Sequence, residues 1–219
     1  MKYKIAIFDL DGTILDTLAD LTDSVNYALK SNSMPERTIE EIRHFVGNGI
    51  RKLIERSVGL GTKDELIDKV HSDFTEYYKA HCADKTSAYE GIPELLKTIR
   101  EAGMKTAVVS NKADYAVSAL VEDFFPGQFD LAVGERPGIL RKPNPDGILW
   151  VLDSLSKEKQ EAVYIGDSEV DIKTAKNVGM DAILVSWGFR DKDFLKENGA
   201  EIIVDSADEL LDYLEMDYE

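Results

Sequence analysis

Short apolar runs rich in Val and Ile recur along the chain, at positions 5–8, 105–109, 130–133, 162–165, 182–185 and 201–204. Runs of this length without polar alternation are expected of strands covered on both faces. Between them lie stretches in which apolar residues return every three or four positions, at 92–102, 115–124, 147–155, 170–178 and 207–213, with Gly103 and Gly179 placed as helix stops. Strand and helix alternate, so the pattern predicts an α/β fold built on a parallel sheet.

One interval breaks the alternation. Between about Asp16 and Lys85 the spacing is helical (Leu18, Leu21, Val25, Ala28, Leu29, then Leu66, Ile67, Val70, Phe74, Tyr77) and no convincing strand occurs. The first two strand ends, Asp9 and Ser110, stand 101 positions apart. A strand-helix-strand unit needs roughly 30 residues, which leaves a surplus of roughly 70. The expected organisation is therefore a core from residues 1–15 and 86–219 with a small all-helical insertion at 16–85. The acidic carboxyl end, 205–219, reads as a solvated helix with a frayed tail.

Charge narrows the function classes. Among 219 residues, 42 acidic side chains against 26 basic ones give a formal net charge of -16, which repels nucleic acid phosphates and anionic membrane surfaces. No nucleic-acid partner is expected, and an anionic substrate has to be drawn in by a few local cations or a metal. Cys82 is the single cysteine, so neither an intrachain disulfide nor a cysteine zinc site is available. A reducing, cytoplasmic location is the expectation, with no signal peptide at the amino terminus and no membrane span.

The candidate chemistry gathers at strand ends. The first apolar run leads into Asp9-Leu10-Asp11-Gly12-Thr13, the second into Ser110-Asn111-Lys112, and a later one into Gly166-Asp167-Ser168 with Asp171 four positions on; Lys142-Pro143 lies between. In open α/β sheets the ligand crevice lies at the carboxyl ends of the strands, where distant residues converge. Side chains alternate along a strand, so Asp9 and Asp11 are expected on one side, a repulsion relieved by a bound cation or a shared proton. Pro143 suits an early helical position, which predicts that Lys142 starts a helix and brings its ammonium to the same rim. A calcium loop does not fit, because its glycine position holds Ile14 and its twelfth position Asp20.

These groups meet the needs of phosphoryl transfer. Asp9 can attack phosphorus to form an aspartyl phosphate, and Asp11 can protonate the leaving oxygen and later deprotonate water. Mg²⁺ held by Asp9 and Asp167 would offset the repulsion between nucleophile and phosphate. Lys142 and Ser110 would bind phosphate oxygens, and the amides of residues 11–13, around Gly12, would form an anion nest.

The four motifs, in this order, resemble those of the haloacid dehalogenase superfamily of phosphatases. The resemblance implies a Rossmann-like core with a helical cap that closes over the site. It implies Asp9 as nucleophile, Asp11 as acid/base and as a metal ligand through its backbone carbonyl, Ser110 and Asn111 as phosphate binders, Lys142 as charge neutraliser, Asp167 as metal ligand and Asp171 as its assistant. Gly12 and Thr13 join the substrate-binding set. Ser110-Asn111-Lys112, the turn Gly47-Asn48-Gly49 and Trp187-Gly188-Phe189 make phosphoglycolate phosphatases the most similar branch, with Arg51 as candidate ligand for the substrate carboxylate. The expected substrate is a small phosphorylated metabolite, 2-phosphoglycolate first, turned over by a monomer or homodimer. A β-phosphoglucomutase-like mutase and a pyrophosphatase are the related alternatives. A receiver-like signalling module, the alternative from another class, would carry its phosphorylated aspartate on a middle strand and need no insertion.

Overall fold

A computed structural model of the protein describes residues 2–215. Strand β1 (Ile5–Phe8) leads through the two-residue β2 (Leu15–Asp16) into four helices, α1 (Leu18–Ser31), α2 (Ile39–Phe45), α3 (Ile50–Val58) and α4 (Asp64–His81). The chain returns through β3 (Ser87–Ala88), antiparallel to β2. Alternation then follows: α5 (Ile92–Glu101), β4 (Lys105–Ala113), α6 (Asp114–Phe124), β5 (Leu131–Glu135), α7 (Asp146–Ser154), β6 (Ala162–Gly166), α8 (Glu169–Val178), β7 (Asp181–Val185), α9 (Lys192–Glu197), β8 (Ile203–Val204) and α10 (Ala207–Glu215).

The six strands of the main sheet run parallel in the order β5-β4-β1-β6-β7-β8. Both faces are covered, which is why β1 is apolar at every position. Ala6 and Phe8 pack into a cluster with α5, α6 and α10, while Ile5 and Ile7 pack on the other face against α7 and α8. The four helices between β2 and β3 bury a cluster of their own, from Leu21, Val25 and Leu29 to Val70, Phe74 and Tyr78, and Ala116 of α6 joins it. At the base of this helical layer the buried Asp20 carboxylate accepts the Lys85 and Thr86 N–H groups and the Thr86 hydroxyl, tying the outgoing chain to the returning one.

Strand order fixes the site. The chain builds β4 and β5 on one side of β1, then crosses back to lay β6, β7 and β8 on the other. At such a reversal the connections leave in opposite directions and open a crevice above the carboxyl ends of β4, β1 and β6.

Several elements differ from the sequence pattern. β4 continues through Ser110-Asn111-Lys112 to Ala113, with a register shift against β5 between Val109 and Ala113, so those residues belong to the irregular strand end rather than to a loop beyond it. Lys142 does not start a helix: α7 begins at Asp146, and Lys142 precedes a cis peptide bond to Pro143. The face of α4 continues from Phe74 to Tyr78, not Tyr77. The short ribbon β2/β3 and the helix α9 have no counterpart in the pattern. α10 buries Ala207, Leu210 and Leu214, so the helix is not wholly solvated; the expected frayed tail, residues 216–219, lies outside the described residues.

Candidate active site

Asp9 leaves β1 with its backbone N–H donated to Ile165 of β6 (2.8 Å), and its Oδ1 accepts the N–H of Leu10 (2.7 Å). The chain then wraps into a tight turn in which the Gly12 N–H donates to the Leu15 carbonyl and the Thr13, Ile14 and Leu15 N–H groups to that of Leu10. The amides of Gly12 and Thr13 are thus used inside the turn, a correction to the anion nest expected of residues 11–13. Gly12 serves close packing instead. At φ +82°, a Cβ there would stand 2.3 Å from Asp167 Oδ2. The buried Thr13 hydroxyl faces Asp167 Oδ1 at 3.5 Å.

β6 ends at Gly166, where no side chain fits because Asp171 lies against it. Asp167 follows, and Ser168 caps α8 in a reciprocal box with Asp171. Asp171 Oδ2 accepts the Asp167 and Ser168 N–H groups (3.2 and 3.1 Å) and the Ser168 hydroxyl (2.6 Å), while its Oδ1 lies 2.8 Å from Lys142 Nζ and 3.1 Å from the Tyr164 hydroxyl. Lys142 Nζ also reaches Asp9 Oδ2 at 2.9 Å. Its loop is anchored by Asn111, whose Oδ1 accepts the Lys142 N–H (2.7 Å) and whose Nδ2 donates to the Lys142 carbonyl (3.0 Å) and to Gly47 of the helical layer (3.1 Å). The Asn111 side chain therefore holds the lysine in place, a different task from the phosphate contact expected of it. Ser110 lies buried at the same rim, its hydroxyl accepting the Lys112 N–H.

Asp9, Asp167 and Asp171 present carboxylate oxygens within 4.8 Å of one another, all buried. Burial pushes Asp9 up to about 6; the Lys142 ammonium pulls it back, and the Asp171 and Asp11 carboxylates add to the rise. Asp167 rises well above the usual carboxylate range through burial and through Asp171 and Asp9. Burial opposes the charge on Lys142, yet Asp171 and Asp9 together raise its pKa. Three carboxylates facing one ammonium leave uncompensated negative charge, and a divalent cation liganded by oxygen answers that need. Asp171 is engaged by five donors and orients Lys142 and the start of α8, which leaves Asp9 and Asp167 as the carboxylates of this group that could hold a metal ion directly.

The second aspartate of the first motif is placed differently. Asp11 Oδ1 accepts the Thr17 hydroxyl (2.6 Å) and the buried Lys112 ammonium (2.8 Å), so its carboxylate stands outside the three-carboxylate cluster. Arg51 is not brought to the site at all. It pairs with Asp68 and, at 3.2 Å, with Glu55 on the surface of the helical layer, because its position on α3 faces away from the crevice. Among the described residues, the cations brought to these carboxylates and the cavity are Lys142, Lys112 and Arg190, the last paired with Glu169 at 3.0 Å. The latter two escaped the sequence reading, although Lys112 stands within the Ser110-Asn111-Lys112 string and Arg190 directly follows Trp187-Gly188-Phe189.

That last string braces the site. The Phe189 N–H donates to Asp167 Oδ2 (2.7 Å), the Trp187 indole donates to the Thr13 carbonyl (3.1 Å), and Gly188 sits where a Cβ would meet Asp167 at 2.4 Å. Arg190 then reaches across to the end of α2, donating to the Arg43 and Val46 carbonyls (2.8 and 2.9 Å), while Arg43 donates back to Phe189 and Gly188 (2.9 and 3.2 Å). This reciprocal pair holds the helical layer down over a cavity of about 50 Å³ with Asp9 and Asp167 in its floor.

The haloacid dehalogenase-like hydrolase family model matches residues 6–185, which carry all of these groups except Gly188, Phe189, Arg190 and Trp187. The chain belongs to the haloacid dehalogenase-like hydrolases. Within that family it is a phosphatase-type enzyme, similar over nearly its whole length to phosphoglycolate phosphatases. That of Psychrobacter arcticus is 32% identical, covering 98% of this chain and 96% of the relative. The N-acetylmuramic acid 6-phosphate phosphatase of Pseudomonas aeruginosa is 29% identical over the same shares. A crystal structure from Lactobacillus delbrueckii subsp. bulgaricus shares 42% identity at a TM-score of 0.93, covering 98% of this chain and 99% of the other. Among the described residues no helix is long and apolar enough to cross a membrane.

Proposed function

We propose that this hydrolase is a Mg²⁺-dependent phosphomonoesterase acting on a small phosphorylated acid, 2-phosphoglycolate for preference, through a phosphorylated Asp9. The observation that carries the reading is Asp9 at the floor of a small covered cavity, 2.9 Å from a buried lysine and beside two further carboxylates. Mg²⁺ bound by Asp9 and Asp167 would lower the charge opposing an incoming phosphate dianion.

The residues themselves divide the reaction. An Asp9 oxygen forms a bond to phosphorus while the ester P–O bond breaks, and Asp11, which has to enter this step protonated, having taken a proton from solvent, delivers it to the departing alkoxide. Water then attacks the phosphorylated Asp9, Asp11 takes a proton from that water, and inorganic phosphate leaves with the Asp9 carboxylate restored. Lys142 faces Asp9 throughout and stabilises charge on the transferring oxygens. Asn111 keeps the Lys142 loop in register, and Thr17 with Lys112 fixes the Asp11 rotamer. The Arg43 and Arg190 contacts exclude bulk water.

Cavity size favours a small ester. The space between the helical layer and the strand ends is small, about 50 Å³. That suits the smallest phosphate esters better than an amino-sugar phosphate. The test is kcat/KM with Mg²⁺ for 2-phosphoglycolate, N-acetylmuramic acid 6-phosphate, hexose phosphates and pyrophosphate, beside Asp9→Asn. The highest value should fall to 2-phosphoglycolate, and Asp9→Asn should be inactive on all. Isomerised hexose phosphate in place of free phosphate would establish a mutase. Turnover that survives Asp9→Asn would remove the covalent route.

A further inference from the structure

The helical layer contributes Leu21, Val46, Ile50, Leu53 and Tyr78 side chains to the roof of the cavity, together with two glycines. Among the described residues Tyr78 is the sole polar side chain in that roof. It is fully buried, and no group meets its hydroxyl in full hydrogen-bond geometry; the Lys112 ammonium is its polar neighbour. A buried hydroxyl left unpaired lowers stability, and phenylalanine would fill the same volume without that penalty. The group makes physical sense where a ligand completes it.

The surroundings state what kind of ligand. Lys112 Nζ lies 4.8 Å from the centre of the Tyr78 ring while it pairs with Asp11, and Arg190, whose Nε pairs with Glu169 at 3.0 Å, lines the same cavity. Asp9, Asp11 and Asp167 line the same cavity and repel an anion from their side of it, so Lys112, Arg190 and the Tyr78 O–H are the lining groups able to receive one. Resting on the phosphomonoesterase reading above, we infer that the Tyr78 hydroxyl, beside the Lys112 ammonium, receives the second acid group of the substrate. It selects phosphate esters that carry a carboxylate close to the ester oxygen. Tyr78 thereby takes the place that the sequence had given to Arg51.

The experiment compares 2-phosphoglycolate with ethyl phosphate, which replaces the carboxylate by a methyl group, on the wild-type enzyme and on Tyr78→Phe, with Mg²⁺ and with melting curves of both proteins. The wild type should prefer 2-phosphoglycolate strongly in kcat/KM. Tyr78→Phe should reduce that preference by about ten- to a hundredfold, the effect of removing one hydrogen bond to a charged group, and should melt no lower than the wild type. A preference kept within about twofold, well below the effect of a single such bond, overturns the inference and leaves the phosphatase reading intact. A lower melting temperature, or equal loss on both esters, also overturns it, since the hydroxyl would then have a structural partner. Equal turnover of the two esters by the wild type itself refutes the small-acid reading on which the inference rests.

Discussion

Acidification from pH 7 towards pH 4 should stabilise the metal-free protein at one group, Asp9, against the usual direction for carboxylates. Burial, with Asp171 and Asp11 reinforcing it and Lys142 opposing it, moves this carboxyl from the ordinary 3.8 to about 6. The folded state therefore holds a proton that the unfolded chain releases between those pH values. Wherever the folded state binds more protons, stability falls as pH rises, so the loss accumulates across this window and is complete by pH 7. Each decade of proton affinity is worth ~1.4 kcal/mol, which makes the contribution of Asp9 about 3 kcal/mol. Asp167, also pushed upward, acts in the same direction. Other carboxylates oppose it, so the measurement is a difference: urea unfolding of wild type and Asp9→Asn in EDTA at several pH values from 4 to 7. The two proteins should converge near pH 4, and Asp9→Asn should be the more stable by a few kcal/mol at pH 7. Saturating Mg²⁺ should raise the wild type at pH 7 by about 2.7 kcal/mol at a hundredfold excess over its dissociation constant. A stability difference that stays flat across the pH range would refute the charge-frustrated site.

Gly12→Ala puts a methyl group 2.3 Å from Asp167 Oδ2, so kcat/KM should fall at least about 100-fold with weakened Mg²⁺ binding, as metal titration would register. Arg190→Ala removes two charge-assisted bonds to the end of α2. At about 1–3 kcal/mol this should lower kcat/KM by roughly ten- to a hundredfold and speed hydrogen exchange at residues 43–49; unchanged exchange would exclude a holding role. Arg51→Ala should leave the ranking of substrates unaltered, because its partners are Asp68 and Glu55, outside the cavity. Asp130 is desolvated, yet the Lys105 ammonium, the Thr106 N–H and Arg100 outweigh burial and hold its carboxyl below the usual range. The stability it contributes is present above the ordinary carboxylate pKa and lost as pH falls through the lowered one. Asp130→Asn should accordingly melt lower than wild type at pH 7 and approach it as the pH falls below the ordinary carboxylate range.

Elements with a long, consistent period were legible, because burial on both sheet faces demands apolar residues at every strand position and helices bury one stripe. The length between Asp9 and Ser110 disclosed the helical layer for the same reason: those residues exceed what one crossover can absorb. What escaped depends on neighbours that no local pattern encodes. Val70 and Phe74 can be continued by either Tyr77 or Tyr78 at helical spacing. Packing chose Tyr78, leaving Tyr77 to stack on Tyr27 and His81 with ring centres 4.0 and 4.1 Å apart. Arg51 sits beside glycines that do line the cavity, but one residue along a helix turns a side chain by about 100°, enough to aim it at Asp68. Strands of two residues such as β2 and β3 have no period to detect, and Lys142 reaches the rim from a loop held by Asn111, a contact 31 positions away in sequence.

The Asp9-x-Asp11 spacing illustrates how folding separates what a strand period unites. Had the chain continued as a strand, both carboxylates would share one spot; the turn closed by Leu10 and Leu15 instead sends Asp11 towards Lys112 and Thr17, while Asp9 meets Lys142. Each aspartate thus faces its own buried ammonium, one from the end of β4 and one from the loop before α7. Two chemically identical groups acquire different surroundings, which is the condition for assigning one to nucleophilic attack and the other to proton transfer. The charge balance of the compartment follows. Four carboxylates, counting Asp167 and Asp171, stand against two ammonium groups before any phosphate arrives, so a dianionic substrate enters an environment that already repels it. The proposed divalent cation on Asp9 and Asp167 would bring that inner half close to neutrality. On the proposed function, the carboxylate of a phosphorylated acid would then have only the outer half in which to sit, under the roof lined by Tyr78 with Lys112 and Arg190 beside it.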